Sequence, residues 1–271
     1  MFSKKNKLTF FADEMTEGLP APYPAYSNFP EWFTKSNKKL KCPFAPLMNL
    51  RSKTTKHPMQ TGQNPYTLTK DSTVQHCPGI VDYLKTGYIV PAWTDMVFRL
   101  INGELHLESV VSFKDIDFNI HRAHQFQGMD HTQMPIGNSF NKVATPWWLK
   151  TTPGTSVLIT NPYWNRNRTF TSVSAVVHPD SHPIHMKWFF EFNEPLKDSP
   201  EIYDQELQVI KKGTPLMLII PFKRNKFEIE YKYLNERDHS RLHRDSAYGS
   251  VSWFSEPPYY FFRKKIGNLY R

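Results

Sequence analysis

The stretch PWWLKTTPGTSVLITNPYW, Pro146 to Trp164, and its counterpart KKGTPLMLIIPFKR, Lys211 to Arg224, decide the fold class. In each, a Gly-Thr pair precedes a short apolar run that ends at or near a proline. β-Branched and large apolar residues suit a buried pleated surface, while Gly and Pro mark the ends of strands. The two stretches therefore predict buried β-strands, which we expect in equivalent positions of two packed sheets.

The strand-like pattern begins at Thr73 and continues through most of the chain. Val97–Val110 predicts a hairpin with a type I′ turn, because Asn102 and Gly103 both tolerate positive φ. Further strands are predicted at Ser156–Thr160, Thr169–His178, Met186–Phe192, Leu216–Phe222 and Phe227–Leu234. Helix is predicted only at Ser199–Lys211 and Asn235–Ala247. We expect a mainly β protein, a jelly-roll-like β-sandwich with extended N- and C-terminal arms and little helix.

Composition divides the chain into three parts. Residues 1–72 are rich in Pro, Lys, Ser and Asn, which predicts an extended basic arm. Residues 73–234 are expected to form the β-sandwich core, and residues 235–271 a helical segment with an aromatic, basic C-terminal arm. Five aromatic residues are expected to dock the first arm on its own domain or on a neighbouring subunit: Tyr23, Tyr26, Phe29, Trp32 and Phe33.

The formal net charge of +9 comes mainly from residues 1–75 and 222–271. Clustered Lys and Arg attract acidic partners, so nucleic acid or an acidic protein face is a candidate, but the nucleic-acid reading has no supporting motif. Two cysteines, Cys42 and Cys77, imply neither a disulfide framework nor a zinc site. No apolar stretch has the length of a signal peptide or a membrane span, so we expect cytoplasmic synthesis and no membrane contact.

One histidine pattern suggests a metal site. His178 and Asp180 have the His-x-Asp spacing of Fe(II) oxygenases built on jelly rolls, and His239 or His243 is the candidate for the distal ligand of a facial triad. The alternative is a turn between two strands, since Pro179, Asp180 and Ser181 are all turn-forming residues. No catalytic residue is assigned, and no cofactor is expected.

A group of aromatic and basic residues suggests a binding surface. Flat aromatic rings and guanidinium planes stack on sugars, bases or peptides, so these side chains are a candidate platform. The alternative is that they fill the space between the sheets. The residues are Trp147, Trp148, Tyr163, Trp164, Arg166 and Arg168.

Short motifs spread over residues 19–226 carry a family resemblance. They include Pro20-Ala21-Pro22, Pro30-Glu31-Trp32, Cys77-Pro78, Pro91-Ala92-Trp93-Thr94-Asp95, Pro146-Trp147-Trp148, Gly213-Thr214-Pro215 and Ile220-Pro221-Phe222-Lys223-Arg224. As a set they resemble an uncharacterised domain family found mainly in T4-like phages of cyanobacteria and in other marine tailed phages. The resemblance implies a phage context and brings no catalytic residue with it.

Three functions follow as hypotheses. The first is a structural or interaction protein of a phage, associated with the virion, whose sandwich docks neighbours through aromatic and proline-rich arms. The second is a host-takeover binding protein of the infected cytoplasm, and the third is a jelly-roll Fe(II)-dependent oxygenase. The expected partners are other protein subunits, of virion or host, including further copies of the chain.

Overall fold

The computed structural model describes residues 6–35, 78–101, 104–109, 111, 118–129, 139–165, 167–194 and 208–243. The chain forms two compact units. The first contains Met1–Pro30 and Leu84–Asn225, and the second contains Glu31–Tyr83 and Lys226–Arg271. All of the described strands belong to the first unit.

The described elements are short except for one strand. In chain order the strands are β1 Leu8–Phe11, β2 Tyr23–Pro24, β3 Tyr88–Pro91, β4 Met96–Ile101, β5 Glu104–Ser109, β6 Phe118–Arg122, β7 Ser139–Thr151, β8 Thr155–Thr160, β9 Phe170–Ser172, β10 Ala175–Val177, β11 Ile184–Phe192, β12 Gln208–Ile210 and β13 Pro215–Lys223. The α-helices are α1 Glu31–Lys35, α2 Pro78–Lys85 and α3 at residues 236–243. None of the helices in the described ranges is long and apolar enough to span a bilayer.

The first sheet is built around β7 and has the order β1-β7-β11-β9, with every pairing antiparallel. β6 pairs with the first residues of β7, and β1 pairs with its last residues. The pairing of β7 with β11 shifts register between His185 and Lys187, opposite Pro146. Proline has no backbone N–H to give to a ladder, so a bulge at this point keeps the long strand paired on both sides of it.

The second sheet has the order β10-β8-β13-β3-β2, and a third, small sheet has the order β12-β4-β5. The strands that follow the two Gly-Thr pairs, β8 and β13, are antiparallel neighbours in the second sheet. The expectation that they occupy equivalent places in two sheets was therefore wrong. β13 also lies close against the turn before β3, where a Cβ on Gly87 would be 2.3 Å from the carbonyl oxygen of Ile219.

The core lies between the first and second sheets and is closed by the third. Alternate residues of β11 point inward, and the rings of Trp188 and Phe190 stack with centroids 3.7 Å apart. Phe98 of β4 contacts three of these inward rings edge-on, with centroids 5.3–6.4 Å away. On the opposite side, the apolar run of β13 is buried from Leu216 to Ile219, as a central strand requires.

One buried serine links the two sheets through hydrogen bonds. Ser172 of β9 accepts a hydrogen bond from the indole Nε1 of Trp188 at 2.9 Å. Its own hydroxyl donates to the carbonyl oxygen of Leu216, on β13 of the second sheet, at 2.5 Å. All three residues are buried, so these groups have no access to water as a substitute partner.

The prediction of a mainly β sandwich is confirmed, and several strands lie where the sequence placed them. Ser156–Thr160, Met186–Phe192 and Leu216–Phe222 correspond to β8, β11 and β13, and the predicted hairpin corresponds to β4 and β5, with its Asn102-Gly103 turn outside the described residues. The predicted strand Thr169–His178 is instead two strands, β9 and β10, which pair in different sheets.

The two predicted helices have different outcomes. Residues 236–243 of the predicted helix Asn235–Ala247 are helical, and the side chain of Asn235 caps the helix by accepting from the N–H of Asp238 at 2.9 Å. Residues 208–210 of the predicted helix Ser199–Lys211 form β12 instead, because they pair with β4. Residues 199–207 and 244–247 of the two predictions lie outside the described residues.

The boundaries of the units differ from those expected from composition. β1 and β2 belong to residues 1–72, yet they pair with β7 and β3 of the sandwich. The first part of the expected N-terminal arm is therefore integrated in the sheets of its own chain, whereas Trp32 and Phe33 of α1 belong to the second unit. The first unit ends at Asn225, and residues 226–234 are not part of it.

Replacing Ser172 with Ala is expected to lower the free energy of unfolding by about 3 kcal/mol, because it leaves both the Trp188 indole N–H and the Leu216 carbonyl buried without their partner. Ser174→Ala is the matched control. The Ser174 hydroxyl bonds to Thr160 in an exposed position, so its loss should cost less than about 0.5 kcal/mol. Urea unfolding of both variants measures the difference, and equal losses would contradict the role of Ser172.

Candidate functional site

A polar cluster joins three segments of the first unit beside the end of β13. Both terminal nitrogens of Arg224 bond the carboxylate of Asp180, with Nη1 at 3.0 Å from Oδ1 and Nη2 on Oδ2. The N–H of Gly154, in the turn before β8, also donates to Oδ2 at 2.9 Å. The backbone N–H of Arg224 returns a hydrogen bond to the carbonyl of Gly154 at 3.1 Å. The end of β13 is thus pinned to two turns.

Ser156 and His178 complete this cluster. Arg224 Nη1 donates to Ser156 Oγ at 3.1 Å, and Ser156 Oγ lies 2.7 Å from His178 Nδ1. The serine hydroxyl therefore has its proton available for the imidazole nitrogen. A serine bonded to a histidine is also the arrangement of an activated nucleophile, but Ser156 is completely buried. Its contact with His178 therefore serves to hold the turn.

The electrostatics of the cluster favour the ion pair. The hydrogen bonds from Arg224, and after them the N–H of Gly154, hold the pKa of the Asp180 carboxyl well below its usual range. The carboxylate in turn raises the pKa of Arg224. Asp180 is therefore charged at all physiological pH values.

The structure brings together two of the three predicted metal ligands, but around a guanidinium. Arg224 Nη1 lies 3.0 Å from Asp180 Oδ1 and 3.4 Å from His178 Nδ1, so a cationic side chain occupies the place where a metal would meet both ligands. His239 belongs to the second unit. Within the described ranges, no group of three His, Cys, Asp or Glu side chains is placed to hold a metal ion. This geometry fits the alternative to a metal site, which was a turn between two strands at Pro179, Asp180 and Ser181.

The predicted aromatic platform is divided between different places. Trp147 and Trp148 are neighbours on β7, and neighbours on a strand point to opposite faces. Trp147 packs against the core, whereas Trp148 is 38% exposed. Tyr163 and Trp164 lie in a single-turn helix after β8, with their rings 5.1 Å apart.

The two arginines of the predicted platform were assigned to the same surface as the tryptophans. Arg168 is exposed, and its backbone carbonyl accepts a hydrogen bond from Asn193 Nδ2 at 3.0 Å. That contact is made by the main chain, so it fixes the loop and not the guanidinium. Arg166 lies outside the described residues.

An aromatic row that the sequence did not reveal crosses the outer face of the first sheet. Trp148 stacks on His185 of β11, with ring centroids 4.7 Å apart and planes within 10°. On the other side, Trp148 is the cross-strand partner of Phe11 on β1, which is 46% exposed. His185 is held in place because its Nε2 donates to the carbonyl of Thr145 at 2.6 Å, in the bulge at Pro146. Only strand pairing brings the three residues together, so no sequence spacing could have indicated them.

The five predicted docking aromatics of the N-terminal arm also separate. Tyr23 lies in β2 of the second sheet, where burial raises the pKa of its hydroxyl, and Tyr26 is 62% exposed. In the second unit, the rings of Trp32 and Phe33 meet edge-on with centroids 5.7 Å apart, and Phe33 is buried. Phe29 is partly buried. Docking on the chain's own sheets is thus seen for the portion around Tyr23.

Four highly exposed apolar residues lie in the exposed segment, which we define as residues 226–234. The sequence predicted a strand at Phe227–Leu234, and that prediction was wrong because the segment has no strand partner among the described residues. Phe227, Ile229, Tyr231 and Tyr233 are each 78–99% exposed. The period-two alternation of apolar and charged residues is present, but the row of apolar side chains lies in water.

The contribution of the Asp180–Arg224 pair to stability is expected to depend on pH. A carboxyl whose pKa is depressed in the folded state stabilises the protein above its unfolded-state pKa of about 3.9 and ceases to do so as the pH falls through the folded-state value. The difference in free energy of unfolding between the wild type and Asp180→Asn should therefore be constant above about pH 5 and shrink below about pH 4. Urea unfolding between pH 3 and pH 8 measures it, and a difference that is independent of pH would contradict the ion pair.

Comparison with known proteins leaves the family open. No family model matches the chain, and no curated protein matches it. Among solved structures, a mutant dUTPase of Staphylococcus bacteriophage 80alpha with dUpNHpp is similar to 56% of this chain and 80% of its own length, with 10% identity and a TM-score of 0.28.

Proposed function

We propose that this chain is a structural or interaction protein of a tailed phage, associated with the virion, and that it docks neighbouring subunits through the exposed segment. The observation that carries the proposal is the row of four large apolar side chains, 78–99% exposed, at Phe227, Ile229, Tyr231 and Tyr233. Contiguous apolar surface of this kind is a mark of contact with another protein.

Burial of this row would contribute free energy of the same order as the cost of association. Burying one large apolar side chain contributes about 1.5–3 kcal/mol, so four contribute about 6–12 kcal/mol before the costs of association are subtracted. Those costs are roughly 4–15 kcal/mol for two free partners. The segment alone therefore supports a reversible contact, and repeated copies on a particle would strengthen it by increasing the effective concentration.

Two properties of the sequence fit the same proposal. The resemblance to a family of tailed phages implies the phage context. The exposed segment itself is charge-balanced, but it lies within residues 222–271, whose excess of Lys and Arg suits an acidic surface on a neighbour.

A second candidate is a host-takeover binding protein that uses the outer-face row of Phe11, Trp148 and His185. The observation in its favour is that Phe11 and Trp148 are both substantially exposed, while the ring stack and the Thr145 hydrogen bond hold Trp148 and His185 rigid. The oxygenase hypothesis gains no such support, because Arg224 occupies the space between His178 and Asp180.

Particle proteomics combined with a surface variant tests the proposal. The variant carries Ser in place of Phe227, Ile229, Tyr231 and Tyr233, and it should fold normally because all four side chains are exposed. In gradient-purified particles, the wild type is expected in a fixed ratio to the major capsid protein, and the variant at less than about a tenth of that ratio, since the apolar contact is lost.

The control variant is Met15→Ser, which removes one apolar side chain that is 78% exposed elsewhere on the chain. It should be recovered on particles like the wild type. Wild-type protein that is missing from particles would reject the virion role, and attention would then move to host proteins captured by the Phe11–Trp148–His185 row.

A further inference from the structure

The exposed segment carries a second regular row, made of charges. Lys226, Glu228, Glu230 and Lys232 alternate with the apolar residues, so they share the opposite face of an extended chain. Lys232 Nζ lies 3.1 Å from Glu230 Oε2, which places these two residues on the same face, as a strand conformation requires. In the described chain, no backbone hydrogen bond joins this segment to another strand. Among those residues, the segment thus combines the side-chain pattern of a strand with backbone edges open to pairing.

We propose that the partner of this segment is the same segment of a second copy of this chain, paired antiparallel with Tyr231 opposite Tyr231. This inference rests on the proposed function, because it names the neighbour that the exposed segment docks. In this register Glu230 faces Lys232 of the other copy, and the reciprocal pair forms by symmetry. Ile229 faces Tyr233, also twice.

The charges select this register over its neighbours. Centring the pairing on Ile229 would place Glu228 opposite Glu230 and Lys226 opposite Lys232, and like charges directly opposite each other are destabilising. Centring it on Glu230 would place two carboxylates face to face. With Tyr231 at the centre, each charged residue of the segment from Glu228 to Lys232 faces either an opposite charge or Leu234.

The same pattern favours a second copy over an unrelated partner. A twofold interface needs a surface that complements itself, and the segment does so in both its charges and its apolar residues. All four apolar side chains of each copy come to one face of the two-stranded ribbon, where they pack side by side. A two-stranded ribbon is only marginally stable alone, so we expect a reversible dimer whose fraction rises with protein concentration.

Charge exchange tests the pairing on the full-length chain. Glu230→Lys sets two ammonium groups against each other across the pair, and Lys232→Glu sets two carboxylates against each other, so each single variant should dimerise on the order of tenfold more weakly than the wild type. An equimolar mixture of the two single variants allows a mixed dimer that contains one chain of each variant. Both of its cross-strand pairs set a Lys of one variant against a Glu of the other, so mixing should restore association to near the wild-type level, and a mixture that stays monomeric would contradict the pairing.

The double variant Glu230→Lys with Lys232→Glu supplies a second rescue. Exchanging both residues on one chain restores two opposite-charge pairs in the homodimer, so this variant should regain the association of the wild type. Sedimentation equilibrium over a concentration series measures the dimer constant of each protein. A monomeric wild type, single variants that dimerise normally, or a double variant that stays monomeric would each overturn the proposal.

Glu228→Lys is the matched control. It makes the same change of charge as Glu230→Lys, but its position faces Leu234, so the dimer constant should stay within about twofold of the wild type. A loss as large as that of Glu230→Lys would show that net charge, and not the pairing, controls association, and would overturn the register.

A disulfide test fixes the register directly. In a background of Cys42→Ser and Cys77→Ser, Tyr231→Cys places two thiols on directly opposite residues, whose Cα atoms are about 4.5–5.5 Å apart in an antiparallel pair, within reach of a disulfide. Tyr233→Cys is the control, because its equivalent residue in the other copy lies roughly 13 Å away along the strands. Air oxidation should give covalent dimers of the first variant only. Equal yields from both variants would overturn the register.

The two proposals fail in different ways. A wild-type protein that is recovered on particles but is monomeric in solution, and crosslinks from position 231 to a different particle protein, would overturn the self-pairing and leave the virion role in place. A dimer with the expected charge-exchange behaviour that is missing from particles would reject the virion role and keep the self-pairing.

Discussion

The packing of the two main sheets is constrained by the hydrogen bonds of one buried hydroxyl. Ser172 accepts from Trp188 within its own sheet and donates to Leu216 in the sheet across the core, so it places a polar contact between the two layers in an apolar part of the interior. The stacked rings of Trp188 and Phe190 fill the space around this hydrogen bond, but ring packing is less directional than a hydrogen bond. A directional bond in this position sets the register between the layers, because a slide of either sheet would leave a buried donor or acceptor unsatisfied.

The sequence was informative where a strand's own composition decides its environment. The apolar run Leu216–Ile219 could be assigned to a central strand because every residue in it is apolar, and it is buried throughout. β7 was not predicted, because Pro146 and its polar residues obscure the pattern, and the bulge that accommodates the proline depends on β11. The exposed segment gives the opposite case. Its alternation is that of a strand, but alternation reports only that one face is apolar and does not say whether a partner strand exists in the same chain.

The candidate site was less predictable than the fold for a related reason. The His-x-Asp spacing suggested a metal site, whereas His178 and Asp180 each contact the guanidinium of Arg224, which lies at the end of a different strand. Adjacent tryptophans were assigned to one surface, although a strand sends neighbouring side chains to opposite faces. The row of Phe11, Trp148 and His185 forms only when three strands pair, so the spacing of these residues along the chain does not indicate it.

The position of Arg224 has a mechanical consequence. A tensile force applied to the exposed segment reaches the sandwich at this residue, where β13 would otherwise begin to peel from β8 one hydrogen bond at a time. The guanidinium distributes that load to the Asp180 turn, and the backbone N–H of Arg224 distributes it to the Gly154 turn. Peeling then requires three segments to yield together rather than one. Under such a load the sandwich would stay intact while the contacts that we propose for the segment break and re-form.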